Sequence, residues 1–459
     1  MTRKIQTFED AVSFLFSLST SGIKLGLDTI STLTTSFNNP EKTYKTVLVA
    51  GTNGKGSVCA MLGKILSTAG YKTGIYTSPH LIDVRERIRI NDDLIAKNRF
   101  TELLIEIKDA ADRLTERGEL DQYPTYFEFI TTIAFRYFAE EGLDIAVLEV
   151  GLGGRFDAVN IVDPIISIIT DVDLDHKRHL GKDLTQIAGE KAGIIRKSGT
   201  LITSVRQRNA FREINRIAEI KNSSVHSALN DIAISVNTAK ADTINEEKLR
   251  KINPTRQKME NGLDCIDIQT SNILYEGIFP ALTGRHQLRN ISSSIYAAEL
   301  LRNKGFDIHD AAIIEGIENA SWPGRLEWID WKIPLLIDGA HNPSGMRTLK
   351  DYVNEKLKGK RFDLIFAVKR SKDYRRMIEK LFLPANRILL PDMKKASFLS
   401  PEEITEMAHH HSSKIETYAS IVDIIQAYKP DDVDFTLAAG SLYLIGNIKA
   451  HLEGSRRIP

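Results

Sequence analysis

The stretch Val47 to Ser57, VLVAGTNGKGS, constrains this chain more than any other: an apolar run breaks into a glycine-rich turn that carries one lysine. Val47, Leu48 and Val49 read as a buried strand. Gly51, Gly54 and Gly56 let the backbone turn sharply and aim N–H groups at an anion with no Cβ in the way. Lys55 adds a mobile positive charge, and Ser57 can offer a hydroxyl to a magnesium ion. From Val58 to Ala69 the spacing turns helical, so a helix N-terminus faces the same point. The loop Gly51, Thr52, Asn53, Gly54, Lys55, Gly56 and Ser57 is therefore a candidate phosphate cradle. The common phosphate-loop pattern ends Gly-Lys-Ser/Thr, whereas here Gly56 separates Lys55 from Ser57.

A chain of 459 residues predicts two domains or more. A net charge of +1 gives no global case for nucleic acid or an acidic membrane. Cys59 and Cys265 are too few for a disulfide framework or a cysteine metal site. No signal peptide and no apolar run of membrane-spanning length is evident, so the expectation is a soluble, cytoplasmic protein. Short β-rich runs at Thr73–Thr77, Ile145–Val150 and Ile165–Thr170 alternate with helical patterns, which predicts a parallel α/β sheet. The rhythm weakens over 227–282, read as a small β subdomain. Ser321-Trp322-Pro323-Gly324-Arg325 reads as a linker, after which the α/β rhythm restarts. The expected organisation is an ATPase-like domain over 1–320, a linker over 321–325, and a smaller Rossmann-like α/β domain over 326–459.

Glu149 ends the second apolar run, just before Gly151-Leu152-Gly153-Gly154-Arg155. A carboxylate at the C-terminal end of a parallel strand sits where ligands bind, and beside a phosphate loop it suits a magnesium ligand or a water-positioning group. His176 follows the third run through Asp171-Val172-Asp173-Leu174-Asp175, at another strand-end loop. Asp171 and Asp173 are either supporting groups or simple loop polarity. Lys191, in a helical turn opened by Glu190, reads on its own chemistry as a surface lysine. The loop from Ser78 through Glu86, Arg87 and Arg89 either grips an anionic substrate or is a solvated surface. Asp338-Gly339-Ala340-His341-Asn342 places acid and imidazole on a tight strand-to-helix turn, with Asn342 as a candidate N-cap. The run His409-His410-His411 reads as a surface feature, since adjacent helix positions point about 100° apart.

Together these residues resemble the folylpolyglutamate synthase and dihydrofolate synthase family, within the Mur-ligase superfamily. The likeness runs in order through Gly22–Leu27, Gly51–Ser57, Thr77–Leu81, Glu86–Asn91, Tyr126–Glu128, Glu149–Asn160, Asp175–Gly181, Glu190–Ile194, Trp322–Glu327, Asp338–Pro343 and Gly440–Tyr443. The resemblance implies an N-terminal P-loop Mur-ligase-type ATPase domain and an ATP-dependent amide ligase. A substrate carboxylate would attack the γ-phosphate, and the amine of L-glutamate would then displace phosphate from the acyl phosphate. It also implies that Lys55 holds the β/γ-phosphates, and that Ser57, Ser78, Glu149 and His176 serve two magnesium sites. Lys191 matches a lysine that can be carbamylated, and a carbamate can ligate magnesium where an ammonium cannot. Asn290 matches an adenine-contacting asparagine. Arg325, Asp338 and His341 complete the ATP site from the linker and second domain. Tyr126, Phe127 and Glu128 fall near the pterin pocket, although packing explains the aromatics equally well. Asp171 and Asp173 stand where relatives carry Asn or Ser and Gly, adding negative charge.

The implied substrates are dihydropteroate, reduced folates and L-glutamate, with ATP and magnesium as cofactors. Nucleic acid and membranes are not expected partners, and a monomer is expected. Gly22–Leu27 resembles the bacterial branch in which both ligations often share one protein, with a monofunctional folylpolyglutamate synthase as the alternative. A Mur ligase acting on a UDP-sugar peptide would need a further domain before Gly51. A GTPase would need Asn-Lys-x-Asp, whereas Asn303-Lys304 is followed by Gly305-Phe306. A catalytically silent relative is disfavoured by the retention of Lys55, Glu149, His176, Lys191, Asp338 and His341.

Overall fold

The computed structural model describes residues 5–18, 26–240, 243–408 and 414–454. Segment 22–25 and the run from His409 to His411 lie outside them.

The apolar runs of the N-terminal part become strands β1 (Lys45–Ala50), β2 (Thr73–Tyr76), β3 (Ile88–Ile90), β4 (Asp93–Leu94), β5 (Ile145–Glu149), β6 (Ile166–Ile169), β7 (Thr200–Thr203) and β8 (Ser224–Ser227). They form one sheet in the order β4-β3-β2-β5-β1-β6-β7-β8. It is parallel from β2 to β8, with β3 and β4 added antiparallel at one edge. Strands covered on both faces need apolar side chains in both directions, which is why these runs are continuous and do not alternate. Leu48 and Ala50 of β1 face a core built with helices Phe8–Ser17, Lys97–Glu116 and Tyr126–Glu140. Val47 and Val49 face the opposite core, under helices Lys55–Thr68, Arg285–Arg302 and Asp310–Asn319.

Between β8 and helix Arg285–Arg302, strands β9 (Ala233–Ala239), β10 (Leu263–Gln269) and β11 (Leu274–Ile278) make a separate antiparallel sheet in the order β11-β10-β9. The expected weak-patterned region is thus a β unit, but Ser227 itself ends β8 of the main sheet.

After residues 321–325 come β12 (Glu327–Ile329), β13 (Leu335–Ile337), β14 (Phe362–Phe366), β15 (Arg387–Pro391), β16 (Lys414–Tyr418) and β17 (Phe435–Ala439). They form a second large sheet in the order β12-β13-β17-β14-β15-β16, parallel except for β12. Its two faces carry their own apolar cores, one around Leu364, Phe366 and Leu437 and one around Ile337, Ile365 and Leu444. This separate core is what makes the C-terminal sheet a domain of its own. Tyr352 of its first long helix donates to Glu260 (2.7 Å), and the Asn261 N–H donates to the Lys356 carbonyl (2.8 Å), which docks the sheet beside the small β unit. No helix among the described residues is long and apolar enough to cross a membrane.

Candidate active site

Both parallel sheets aim the C-terminal ends of their strands at one cleft of about 910 Å³. In open parallel sheets ligands bind at those ends, because loops there diverge and helix N-termini converge.

The loop after β1 forms the floor. Gly54, at φ +87°, precedes helix Lys55–Thr68, and a Cβ there would lie 2.4 Å from the Asn290 Oδ1. The loop is tied to the end of β6: the Thr52 N–H donates to the Asp171 carbonyl (2.8 Å), and the Thr170 hydroxyl donates to the Asn53 carbonyl (2.7 Å). Lys55 Nζ folds back to the Gly51 carbonyl (3.0 Å) and stands 3.9 Å from Glu149 Oε1. The sequence departure at Gly56 has a steric cause. A Cβ at Gly56 would lie 2.3 Å from Cζ2 of Trp322, so the linker tryptophan rests directly on the first turn of the phosphate-loop helix. Ser57 is buried, and its hydroxyl accepts from Gln287 Nε2 (3.3 Å). Gln287 in turn accepts from the amide of Asn290 (2.8 Å).

Glu149 ends β5 fully buried, with Oε2 accepting the Ser78 N–H (3.0 Å). Burial pushes its carboxyl up from the ordinary value, against the pull of Lys55, the Ser78 N–H, Arg325 and Arg87. Asp157 lies in the following glycine turn. It accepts the Leu152 N–H (2.8 Å) and is raised by burial to about 6. Glu86 accepts three N–H groups, from Leu81, Ile82 and Asp83, so it shapes the Ser78–Arg87 loop. Arg87 is buried and donates to His80 Nδ1 (2.9 Å) under the Tyr126 ring.

Lys191 departs from the surface reading. It is the last residue of helix Leu184–Lys191 and only 3 % exposed. It pairs with no carboxylate within 4.0 Å among the described residues, and burial, with Lys55 adding to it, lowers its ammonium to about 7. His176, at φ +50°, lines the same cleft but is half-exposed. Burial lowers its pKa, with Asp175 opposing. Asp171 bonds the Asn53 amide (3.3 Å), whereas the Asp173 carboxylate accepts from the Leu174 N–H (2.7 Å) within its own loop.

From the other sheet, Asp338 follows β13 and accepts the N–H groups of Leu326 (3.0 Å) and Ala340 (2.8 Å). Burial raises its pKa, while Arg325 opposes. His341 Nδ1 lies 2.8 Å from the Gly339 carbonyl, and burial, with Lys372 adding, lowers it to about 4. Asn342 caps helix Pro343–Lys356 as expected, its Oδ1 accepting the Gly345 N–H (2.8 Å). Its amide also donates across the cleft to Asn53 Oδ1 (3.1 Å). Lys372, not singled out from the sequence, reaches Asp175 (2.9 and 3.0 Å). Burial works against ionised Asp175, but Lys372 and His176 outweigh it and hold the carboxyl at about 2. These contacts join the walls, and no local pattern could have signalled pairings of residues 167 to 289 positions apart.

The donor set fits a hard cation. Glu149 has Lys55 only at 3.9 Å, and the Ser57 and Ser78 hydroxyls belong to the same floor. No group of three His, Cys, Asp or Glu side chains gathers among the described residues. Magnesium bound together with phosphates needs only one or two carboxylates, so none is required. Gly51–Ser57, Ser78, Glu149, His176, Lys191, Arg325, Asp338 and His341 all line the cleft, while Asn290 stands behind the loop against Gly54.

A family profile described as Mur ligase middle domain matches residues 49–298, and one described as Dihydrofolate synthetase, C-terminal domain, matches residues 327–452. The chain is 34 % identical over 452 residues to dihydrofolate synthase/folylpolyglutamate synthase of Bacillus subtilis, covering 97 % of this chain and 99 % of that one. Its structure superposes on folylpolyglutamate synthase of Thermotoga maritima with a TM-score of 0.81 at 30 % identity, covering 96 % of each chain. It superposes on Escherichia coli FolC in complex with DHPP and ADP with a TM-score of 0.83 at 26 % identity, covering 98 % of each.

Proposed function

The chain belongs to the dihydrofolate synthase/folylpolyglutamate synthase family, and from that premise we propose that its cleft joins L-glutamate to dihydropteroate and to reduced folates at the expense of ATP. The observation that carries this is the single cleft in which Lys55 and Glu149 of one sheet face Asp338 and His341 of the other.

A carboxylate and a triphosphate repel each other, so the site must supply positive charge. Lys55 would lie along the β- and γ-phosphates, with the N–H groups of Gly51–Ser57 around them. A substrate carboxylate oxygen attacks Pγ, the bond to the β-phosphate oxygen breaks, and ADP leaves. The deprotonated amine of L-glutamate then attacks the acyl carbon, and inorganic phosphate departs. In this reading Arg325 and Asp338 hold the nucleoside, Asn290 would reach the adenine only by coming forward from behind the loop, and His341 meets the phosphates from the second wall. Magnesium held by Ser57, Ser78, Glu149 and His176 would supply charge neutralisation in two sites. Burial in a low-dielectric cleft strengthens each of these interactions.

Lys191 enters this reading as a carbamate. Only a neutral amine adds to carbon dioxide, and a lysine at about 7 is neutral in a large fraction of molecules. The carbamate would exchange a buried, unpaired ammonium for an anion facing the metal sites. Labelled bicarbonate should give a carbamate signal that Lys191→Ala lacks, and small carboxylates should partly restore that variant's activity. An unaltered Lys191→Ala enzyme would refute the role.

The reading includes boundaries at 321–325, both ligations in one protein, and a monomer working in the cytoplasm on small molecules alone. The test is labelled-glutamate incorporation with ATP and magnesium, with dihydropteroate and tetrahydrofolate offered separately. Incorporation with both is expected. Absence of incorporation and of substrate-stimulated phosphate release with either overturns the ligase reading.

A further inference from the structure

The loop after β6 carries two acids, Asp171 and Asp173, that the ligation chemistry does not use. The Asp173 carboxylate turns back on its own loop and accepts the Leu174 N–H (2.7 Å). Asp171 is buried and reaches the phosphate loop, where its Oδ2 accepts from Asn53 Nδ2 (3.3 Å). Its charge favours the charged forms of Lys191 and Arg289. No ion pair within 4.0 Å forms between Asp171 and either of them, so Asn53 is the side chain it binds.

A side-chain amide has two unlike ends, and its neighbours decide which end faces which way. A carboxylate only accepts, so Asp171 draws the Asn53 NH2 towards itself and turns Asn53 Oδ1 across the cleft. There Oδ1 accepts from Asn342 Nδ2 (3.1 Å). Asn342 is oriented from its other end. Its Oδ1 is committed to the Gly345 N–H (2.8 Å) as the cap of helix Pro343–Lys356, which leaves its NH2 to offer to Asn53. The hydrogen bonds therefore all run one way, from the Gly345 N–H through Asn342 and Asn53 to Asp171. Both Asp171 and Asn342 are buried, and a chain of bonds in low dielectric that ends on a carboxylate is strengthened along its length.

Resting on the nucleotide site of the ligase reading, we propose that Asp171 is a positioning residue that fixes the direction of the Asn53 amide and thereby couples nucleotide in the phosphate loop to closure of the second domain. Asn53 belongs to the loop that would cradle the phosphates, so the group gripped by Asn342 and the group that receives the nucleotide are one piece of chain. Closure and nucleotide affinity are then linked in both directions, and whatever weakens the chain of bonds weakens nucleotide binding by the same factor.

Asp171→Ala removes the acceptor. Asn342→Ser keeps a capping hydroxyl for helix Pro343–Lys356 but is too short to reach Asn53. In calorimetric titration with ADP each variant should bind roughly tenfold more weakly, the loss expected when a charge-assisted bond or its continuation is removed. The double variant should bind no more weakly than either single one, because both interrupt the same chain. Asp171→Asn keeps an acceptor oxygen and should recover most of the affinity. Asp171→Ser, with a hydroxyl too short to reach Asn53, takes the place of the alanine variant should that one not fold. Additive losses in the double variant overturn the proposal, as does unchanged ADP affinity in Asp171→Ala. If wild-type protein binds no ADP, the nucleotide site fails, and small-angle scattering without nucleotide then decides the coupling. A larger radius of gyration in Asp171→Ala and Asn342→Ser supports it, and an unchanged radius overturns it.

Discussion

Replacing Gly56 with alanine would place a methyl group against the indole of Trp322. The new Cβ would lie 2.3 Å from Cζ2, 2.6 Å from Cε2 and 2.8 Å from Nε1. Ordinary carbon contact begins near about 3.5 Å, so the ring must retreat by roughly 1.2 Å. It cannot swing away freely, because Arg89 lies over its face at 5.6 Å. Residues 323–325 then carry the displacement to Arg325 and to the Leu326 N–H that Asp338 accepts. Overpacking of this kind costs about 1–3 kcal/mol. Alanine in place of glycine within a helix returns up to about 1 kcal/mol. Gly56→Ala alone should therefore be destabilising by about 0–3 kcal/mol, with kcat/KM for ATP lowered. In a Trp322→Ala background the clash is gone, and the same substitution should be neutral or mildly stabilising. The coupling energy in a double-mutant cycle on kcat/KM for ATP should reach about 1–3 kcal/mol. Equal effects of Gly56→Ala in both backgrounds would refute the steric argument, and thermal melts of the four proteins should show the same coupling.

Further outcomes follow from the site. Lys55→Met should leave a folded protein whose ATP turnover falls by at least about a hundredfold, a loss typical of a single transition-state contact; retained turnover would remove Lys55 from the phosphate site. Glu149→Gln should raise the magnesium concentration needed for half-maximal rate, read from a magnesium titration at saturating ATP; an unshifted titration would take Glu149 off the metal. Asp175→Asn should loosen the two walls, since Lys372 loses its partner (2.9 Å), and small-angle scattering should record a more open particle. Burial pushes the half-buried imidazoles of His341 and His286 down to about 4 and about 3 from the ordinary histidine value, so the unfolded chain binds more protons than the fold. Their contribution is complete above pH about 6.5 and declines as pH falls towards 4 and 3. Stability measured by denaturant titration should thus decrease across that interval, and His341→Asn should flatten its upper part.

Much of the site was legible because its signals are local. A strand, a glycine turn and a lysine within Val47–Ser57 specify a phosphate cradle by backbone geometry alone, and Glu149 and Asp338 are marked as carboxylates at strand ends. Lys191 was not legible: a lysine beside Glu190 has the same local chemistry on a surface and in a core. Only the packing of helix Leu184–Lys191 against the glycine turn buried it. Gln287, Lys372 and the cross-cleft role of Asn342 were missed for a related reason, since each acts through a partner far away in sequence.

The sequence by itself determined the α/β architecture, the phosphate loop and the order of family motifs, because hydrophobic period and turn chemistry act over a few residues. The tertiary structure decided which of those residues share one low-dielectric cleft. It explained why Gly56 is glycine, through Trp322 lying on it. It also drove the Lys191 ammonium down to about 7. Burial and long-range pairing are properties of the assembled core, and a linear pattern carries neither.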